Sequence, residues 1–125
     1  MSTEPARILL VDDEEFLLDL VREILEEAGY NVTALTNSTV AFQTFSQAPS
    51  SFDLVISDER MPNLSGTGLS EQILGIRPDV PVILFTDYLD AKSAKRAHAI
   101  GVRAIIGKSL NMRELIAYVR RFLNT

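Results

Sequence analysis

The sequence predicts an α/β domain, built on a parallel sheet that helices cover on both faces. Five short apolar segments rich in Val, Ile and Leu alternate strictly with five segments of helical periodicity. The apolar segments lack the apolar–polar alternation of a sheet with one wet face, so both faces should be covered. The length of 125 residues suits one compact domain. We therefore expect a single domain over 1–125, with a core of about residues 6–124.

The first part of the chain predicts two strand–helix units. "RILLV" (7–11) is a short apolar run bounded by charge, which is typical of a buried strand. In 12–29 the apolar residues recur at alternating steps of one and three, which predicts a helix with one apolar stripe and a glycine cap. "YNVTAL" (30–35) predicts the second strand. Segment 37–48 predicts a helix that starts at an Asn or Ser cap and stops before a proline.

The rest of the chain predicts three further units of the same kind. Its strands are apolar runs, its third helix is a weaker, glycine-bearing one that ends before Pro78, and its fourth carries small residues on its inner face. Gly101 follows the fourth helix, and Asn111 can cap the fifth, with Glu114 reaching back from the third helical position. The predicted strands are 52–57, 80–85 and 102–107, and the predicted helices are 65–76, 90–100 and 111–123.

Right-handed crossovers leave few topologies for five such units, and the flavodoxin-like (βα)5 order 2-1-3-4-5 is the common doubly wound one at this length. In these sheets the ligand site lies at the carboxyl ends of the strands, near the switch point between strands 1 and 3. The sequence therefore directs attention to the residues that end its strands.

Composition excludes several classes of function. The absence of cysteine excludes disulfide scaffolds, thiolate metal sites and cysteine nucleophiles. A net charge of −5, from 17 acids and 12 bases, argues against direct DNA binding, and the cationic stretch 92–98 is interpreted as a solvated helix face. No apolar run approaches the roughly 20 residues of a membrane span, and the start lacks a signal-peptide pattern. We expect a cytoplasmic protein without membrane contact.

Polar and charged residues end four neighbouring strands. Asp12 and Asp13 follow strand 1, Asp58 follows strand 3, Thr86 follows strand 4, and Lys108 follows strand 5. Two carboxylates ~4 Å apart repel by about 4 kcal/mol at an effective dielectric near 20, so three together need a cation or must take up protons. Oxygen donors with room for water suit Mg²⁺ (or Mn²⁺).

This arrangement predicts phosphoryl transfer. An ionised carboxylate can attack phosphorus and form an acyl phosphate, and Asp58 stands alone at the end of a central strand. Asp12 and Asp13 are adjacent in the chain and better suited to hold metal. Lys108 and the Thr86 hydroxyl would bind the phosphoryl oxygens.

The motifs "ILLVDDE", "LVISDERMPNLSG", "VPVILFT" and "IIGKS", in this order, resemble the receiver domain of two-component response regulators over essentially the whole chain. The resemblance implies that Asp58 accepts its phosphoryl group from a phosphohistidine of a sensor histidine kinase. It implies that Asp13, Asp58 and the backbone carbonyl of Arg60 ligate Mg²⁺, with Asp12 acting mainly through water. The stretch from "RMPNLSGTGL" to "IRPDVPVIL" is similar to receivers attached to hybrid sensor kinases.

The chain departs from the family pattern near the site. Asp87 stands where Ala or Gly is usual and is expected to hinder access and repel phosphate, which slows phosphorylation, hydrolysis or both. Ile105 stands where the family usually has Tyr or Phe. In the family, movement of the threonine is coupled to an inward turn of that ring, and Ile105 has no ring to turn. Tyr88 is a candidate substitute. Ser109 replaces the usual proline after the lysine, so a trans peptide is expected. Arg60 and Tyr88 are bulky residues at rate-tuning positions.

Other functions stay open beside the receiver. A pseudo-receiver with a dormant site would act as a protein-interaction module. An FMN-binding flavodoxin would need a phosphate loop in place of "VDDEE", and an aspartyl-phosphate hydrolase would need Asp-x-Asp and a cap insertion. The receiver would turn over only its own aspartyl phosphate and is not expected to be an enzyme acting on an external substrate.

The expected partners are the kinase and either a downstream protein target or other domains of a larger chain. By analogy with the family, the signalling face is the stretch from Asp90 to Leu123. A homodimer is compatible with the sequence, and no effector domain is predicted within 1–125.

Overall fold

The computed structural model describes residues 4–87, 89–109 and 112–124, and in that part of the chain five strands alternate with five α-helices. A short 3-10 turn, Pro49–Ser51, precedes the third strand. The strands are β1 (Arg7–Val11), β2 (Asn31–Leu35), β3 (Leu54–Ser57), β4 (Val82–Phe85) and β5 (Ala104–Ile106). The helices are α1 (Glu15–Glu27), α2 (Ser38–Gln47), α3 (Gly66–Ile76), α4 (Ala91–Ile100) and α5 (Met112–Leu123).

All strand pairs are parallel, and the sheet order is β2-β1-β3-β4-β5. The predicted α/β class and the flavodoxin-like order 2-1-3-4-5 are therefore confirmed. In register, Val11 lies beside Ser57, and Phe85 lies beside Ile106. The strands thus end close to one line across the sheet, which brings the loops that follow them to a common edge.

The observed elements are shorter than their apolar runs. The predicted strands 80–85 and 102–107 each lose residues at their ends, because the apolar run continues into the connecting loops. The sequence pattern also misses the 3-10 turn, where Pro49 occupies the favoured first position. The predicted cover on both faces is incomplete at β2, an edge strand whose residues are partly or fully exposed.

The sheet separates two hydrophobic cores. Successive side chains of a strand point to opposite faces, so Ile8 and Leu10 pack with α1 and α5, whereas Leu9 and Val11 pack with α2, α3 and α4. The largest fully buried side chains come from both sides of the sheet. The strand ends are therefore held rigidly from above and below.

Side-chain caps fix where several helices begin. Asn37 accepts hydrogen bonds from two amides of α2, Ser65 caps α3, and Asp90 caps α4. Gly101 ends α4 in the left-handed conformation, with φ 109°. The expected cap of α5 at Asn111 lies outside the described residues. None of the helices within the described ranges is long and apolar enough to cross a bilayer.

Candidate functional site

Three carboxylates meet at the carboxyl edge of the sheet. Asp12 and Asp13 follow β1, and Asp58 follows β3. One oxygen from each lies within 4.8 Å of the others. Asp12 and Asp58 are buried, whereas Asp13 is exposed. The structure thus brings together the acids that the strand ends place side by side.

Lys108 reaches into this cluster from the loop after β5. Its Nζ donates to Asp12 Oδ2 at 2.7 Å and lies 3.0 Å from Asp58 Oδ2. The lysine side chain is 15% exposed, and the two carboxylate side chains are 6% and 8% exposed. The ammonium group therefore joins the first and third strand ends from a largely buried position.

Burial sets the protonation behaviour of this pair. Loss of water raises the pKa of Asp12 above its ordinary value, and hydrogen bonds from Lys108 and the Glu14 amide only partly offset that effect. Burial alone would lower the pKa of Lys108, but its bonds to Asp12 and Asp58 outweigh burial and raise it. The lysine therefore stays charged at neutral pH.

The cluster fits a hard divalent cation. Lys108 is the lysine beside its three carboxylates, so the net charge of these four groups is −2 when all are ionised. A buried excess of negative charge is costly unless it is compensated. Carboxylate oxygens are the ligands that Mg²⁺ and Mn²⁺ prefer. Asp12, Asp13 and Asp58 are therefore residues that could hold such an ion.

Asp58 is held by contacts of both its backbone and its carboxylate. Its backbone N–H donates to Val11 O at 2.9 Å, which continues the β1–β3 pairing. Its Oδ1 accepts the Glu59 N–H at 2.7 Å, and its carbonyl accepts the Ser57 hydroxyl at 2.8 Å. Both carboxylate oxygens thus have defined partners, Glu59 for Oδ1 and Lys108 for Oδ2. These contacts orient the carboxylate.

The start of α3 packs directly against the backbone of Asp58. A Cβ atom built on Gly66 would lie 2.0 Å from the Asp58 carbonyl oxygen, a distance that no side chain tolerates. The Gly66 N–H also donates to Glu59 O at 2.9 Å. Glycine at this position therefore lets the helix approach the strand end closely.

A cleft of about 500 Å³ opens over the cluster. Asp12 and Thr86 are not among its lining residues and are only 4% and 3% exposed. Arg60 and Asp87 are both exposed and line it. The lining residues are Asp13, Glu14, Leu17, Asp58, Arg60, Asp87, Lys108 and Ser109.

The loops after β4 and β5 are joined beside this cleft. Thr86 N donates to Ile106 O at 2.8 Å, one step beyond the strand pairing. Asp87 Oδ1 then accepts both the backbone N–H of Ser109, at 3.0 Å, and its hydroxyl, at 3.1 Å. No cis peptide occurs in the described residues, so Ser109 has the trans bond that we expected.

Ile105 is half-buried in β5 and packs against the core on the α4 side of the sheet, where Leu89 and Ile100 also lie. The predicted role of this residue at the family's aromatic switch position stays a prediction. Tyr88, the candidate substitute, lies outside the described residues.

Sequence reasoning missed two residues beside Asp58. Glu59 Oε1 accepts the Thr67 N–H at 2.7 Å and the Thr67 hydroxyl at 2.8 Å. The two residues are eight apart, across a loop, so neither helical nor strand periodicity pairs them. The available signal was the acid directly after Asp58, together with a hydroxyl in the first turn of the next helix.

Comparison with known proteins agrees with this geometry. Residues 8–120 match the family model described as the response regulator receiver domain. The C4-dicarboxylate transport transcriptional regulatory protein DctD of Rhizobium meliloti is 34% identical over 97% of this chain, and the match spans only 26% of that protein. The response regulator receiver protein CpdR of Brucella abortus is 26% identical over 94% of this chain and 96% of its own length.

A solved structure supports the same fold. A response regulator receiver domain protein from Clostridium thermocellum superposes with a TM-score of 0.90 at 31% identity. The match covers 95% of this chain and 94% of that one. The chain spans about a quarter or less of the first curated relatives that it matches, which include transcriptional regulators.

Proposed function

Because this chain belongs to the response regulator receiver domain family, we propose that Asp58 accepts a phosphoryl group from a phosphohistidine of a sensor histidine kinase. The reaction needs Mg²⁺ or Mn²⁺. The observation that carries the proposal is Lys108 Nζ, held 2.7 Å from Asp12 and 3.0 Å from Asp58 at the edge of the cleft. This places a fixed positive charge beside an oriented carboxylate, as phosphoryl transfer requires.

In the proposed reaction an oxygen of ionised Asp58 attacks phosphorus. The oxygen–phosphorus bond forms as the phosphorus–nitrogen bond of the phosphohistidine breaks, and the imidazole leaves with the bonding electron pair. Asp58 needs no general base, because a carboxylate is already ionised at neutral pH. Lys108 and the Thr86 hydroxyl hold the phosphoryl oxygens, while the Glu59 and Val11 contacts keep Asp58 in line.

We assign the metal to Asp13, Asp58 and the backbone carbonyl of Arg60, with Asp12 acting mainly through water. When bound, Mg²⁺ would supply positive charge that offsets the negative charge of the phosphoryl group. The nearness of the three carboxylates to one another supports this assignment. Asp12 is the most buried of them and already bonds Lys108 and the Glu14 amide, which suits an indirect role.

The output of the domain is carried by protein contact. Receiver domains interact with histidine kinases and output domains, and we propose that residues 1–125 act as one receiver whose state is read by a separate target or by other domains of a longer chain. The proposed signalling face is formed by α4, β5 and α5. Ile105 has no ring to rotate, so a movement of Thr86 would reach this face through the core on the α4 side of the sheet, against which Ile105 packs.

The second candidate is a pseudo-receiver that acts by binding alone. The contact of Asp87 with Ser109 favours it, because this contact ties together the two loops that carry Thr86 and Lys108. It also places a negative charge on the cleft that an anionic donor must enter. The two functions differ in one property, namely whether Asp58 can be phosphorylated.

The test is phosphorylation by a small acyl phosphate donor with Mg²⁺, followed by intact-protein mass, with Asp58→Asn as the control. We expect a gain of one phosphoryl group in the wild type and none in the variant. The pseudo-receiver would be favoured if the wild type gains no phosphoryl group from the small donor or from candidate kinases and also does not bind beryllofluoride stably.

A further inference from the structure

We propose that Glu59 is a positioning residue for the metal and phosphoryl site, and that Thr67 holds it in place. This inference rests on the proposed function, because it assigns a role within the same site. Glu59 follows the phosphoryl acceptor and precedes the residue whose carbonyl is assigned to the metal. Its own carboxylate does not belong to the acidic cluster.

The carboxylate of Glu59 points to the first turn of α3. Its Oε1 accepts the backbone N–H of Thr67 at 2.7 Å and the Thr67 hydroxyl at 2.8 Å. Thr67 is only 3% exposed, so these bonds are shielded from water. Hydrogen bonds to a carboxylate are among the stronger ones in proteins, and the start of a helix favours negative charge. The contact therefore anchors the side chain of Glu59 firmly.

The main chain of Glu59 is held at two further points. Its N–H donates to Asp58 Oδ1 at 2.7 Å, and its carbonyl accepts the Gly66 N–H at 2.9 Å. The residue is thus bound through amide, carbonyl and side chain. Two of these three ties lead to the first residues of α3, so the helix start fixes the peptide that orients Asp58.

Loss of the contact with Thr67 would release the Glu59 side chain, and the peptide units on either side of Glu59 would then gain freedom to rotate. The amide then no longer holds Asp58 Oδ1 in one direction, and the carbonyl of Arg60 no longer faces one position. A metal ion must then order this loop when it binds, which weakens its affinity. Residues that orient the ligands of a metal typically change its affinity by about 10- to 100-fold when they are replaced.

The charge of Glu59 is not needed for this role, which distinguishes it from a metal ligand. A glutamine keeps an Oε1 atom that can accept both bonds from Thr67, although it loses the negative charge. Alanine removes the acceptor altogether. Glu59→Gln should therefore keep most of the metal affinity that this positioning provides, and Glu59→Ala should lose it.

The experiment measures metal affinity without any phosphodonor. Free Mn²⁺ is followed by its electron paramagnetic resonance signal during titration, and Mg²⁺ is added as competitor. The variants are Glu59→Ala, Glu59→Gln and Thr67→Val, which removes the hydroxyl but keeps the side-chain shape. Ser65→Ala is the matched control, because the Ser65 hydroxyl caps the same helix by accepting the Gly68 N–H. Metal-free thermal unfolding is recorded for all of them.

We expect Glu59→Ala to raise the metal Kd by about tenfold, Thr67→Val to raise it by a smaller factor, and Glu59→Gln to stay near the wild type. Ser65→Ala should lower the unfolding temperature but leave the Kd unchanged. If Glu59→Ala does not fold, Thr67→Val decides the result, and an unchanged Kd there overturns the inference.

Two other results also overturn it. An unchanged Kd in Glu59→Ala would do so while leaving the proposed function intact, and so would an equal loss in Ser65→Ala, which would assign the effect to the helix start in general. No measurable metal affinity in the wild type would instead overturn the metal dependence of the proposed function, and this inference with it.

Discussion

Asp87 accepts two hydrogen bonds from Ser109, one from its backbone N–H at 3.0 Å and one from its hydroxyl at 3.1 Å. Each residue directly follows a proposed phosphoryl-binding residue, Thr86 or Lys108. Two departures from the family pattern, which look unrelated in the sequence, are therefore partners in space. The pair links the loops after β4 and β5 at the cleft.

We expect Asp87→Ala to speed phosphorylation by a small phosphodonor. The substitution removes a negative charge from the cleft and releases the loop after β4. One unit charge ~4 Å away is worth about 1 kcal/mol in water, or about a fivefold change in rate. The measurement is the initial rate of phosphoryl incorporation by intact mass. Ser109→Ala keeps the charge but loses the hydroxyl contact, so it separates the two effects. Equal rates in the wild type and Asp87→Ala would contradict the prediction.

We expect Lys108→Met to destabilise the protein in the absence of metal. The substitution leaves Asp12 and Asp58 buried without their cationic partner. Breaking a buried ion pair by removing one partner costs up to about 3–5 kcal/mol. Denaturant unfolding with and without Mg²⁺ checks this, and Mg²⁺ should restore more stability to the variant than to the wild type. Lys95→Met, at an exposed lysine of α4, is the control. A variant as stable as this control would refute the expected role of Lys108.

We expect Gly66→Ala to disrupt both stability and phosphorylation. The added Cβ would overlap the Asp58 carbonyl oxygen, so α3 must move away from the strand end. Overpacking of this kind typically costs about 1–3 kcal/mol. Gly75→Ala lies in the same helix with nothing within 4 Å of its Cβ, and should instead stabilise by about 0.5–1 kcal/mol. Unfolding curves of both variants test the contrast, which would fail if both changed stability in the same direction.

We expect the contribution of Asp90 to depend on pH. The Ser93 N–H donates to its carboxylate and lowers the pKa of Asp90 below 3.8. A lowered folded-state pKa gives stability that is present above 3.8 and is lost as pH falls through the folded value. Asp90→Ala should therefore be less stable than the wild type near neutral pH, and the difference should shrink in acid. Asp90→Asn keeps a cap at every pH and is the control. A difference that is independent of pH would contradict this assignment.

The fold was predictable from the sequence because burial dictates its pattern. Apolar runs fully covered by helices mark the central strands, and the spacing of one and three marks α1. The strand ends were less predictable, since apolar residues such as Val80 and Val102 continue into buried loops. The 3-10 turn carried no periodic signal, because three residues are too few to show one.

The place of the candidate site was predictable for a related reason. Residues that end parallel strands must share one edge, so Asp12, Asp58 and Lys108 could be placed together without coordinates. The directions in which side chains point across loops could not be predicted from the sequence. That Asp87 turns to Ser109, and Glu59 to Thr67, depends on loop geometry that no repeat encodes.

Lys108 and Asp12 are 96 residues apart, yet they lie in direct contact. Such a contact closes almost the whole chain into a loop, and its formation carries the entropy cost of closing that loop. The charge pair at the cleft therefore depends on assembly of the sheet from β1 to β5, and local unfolding at either strand would remove it.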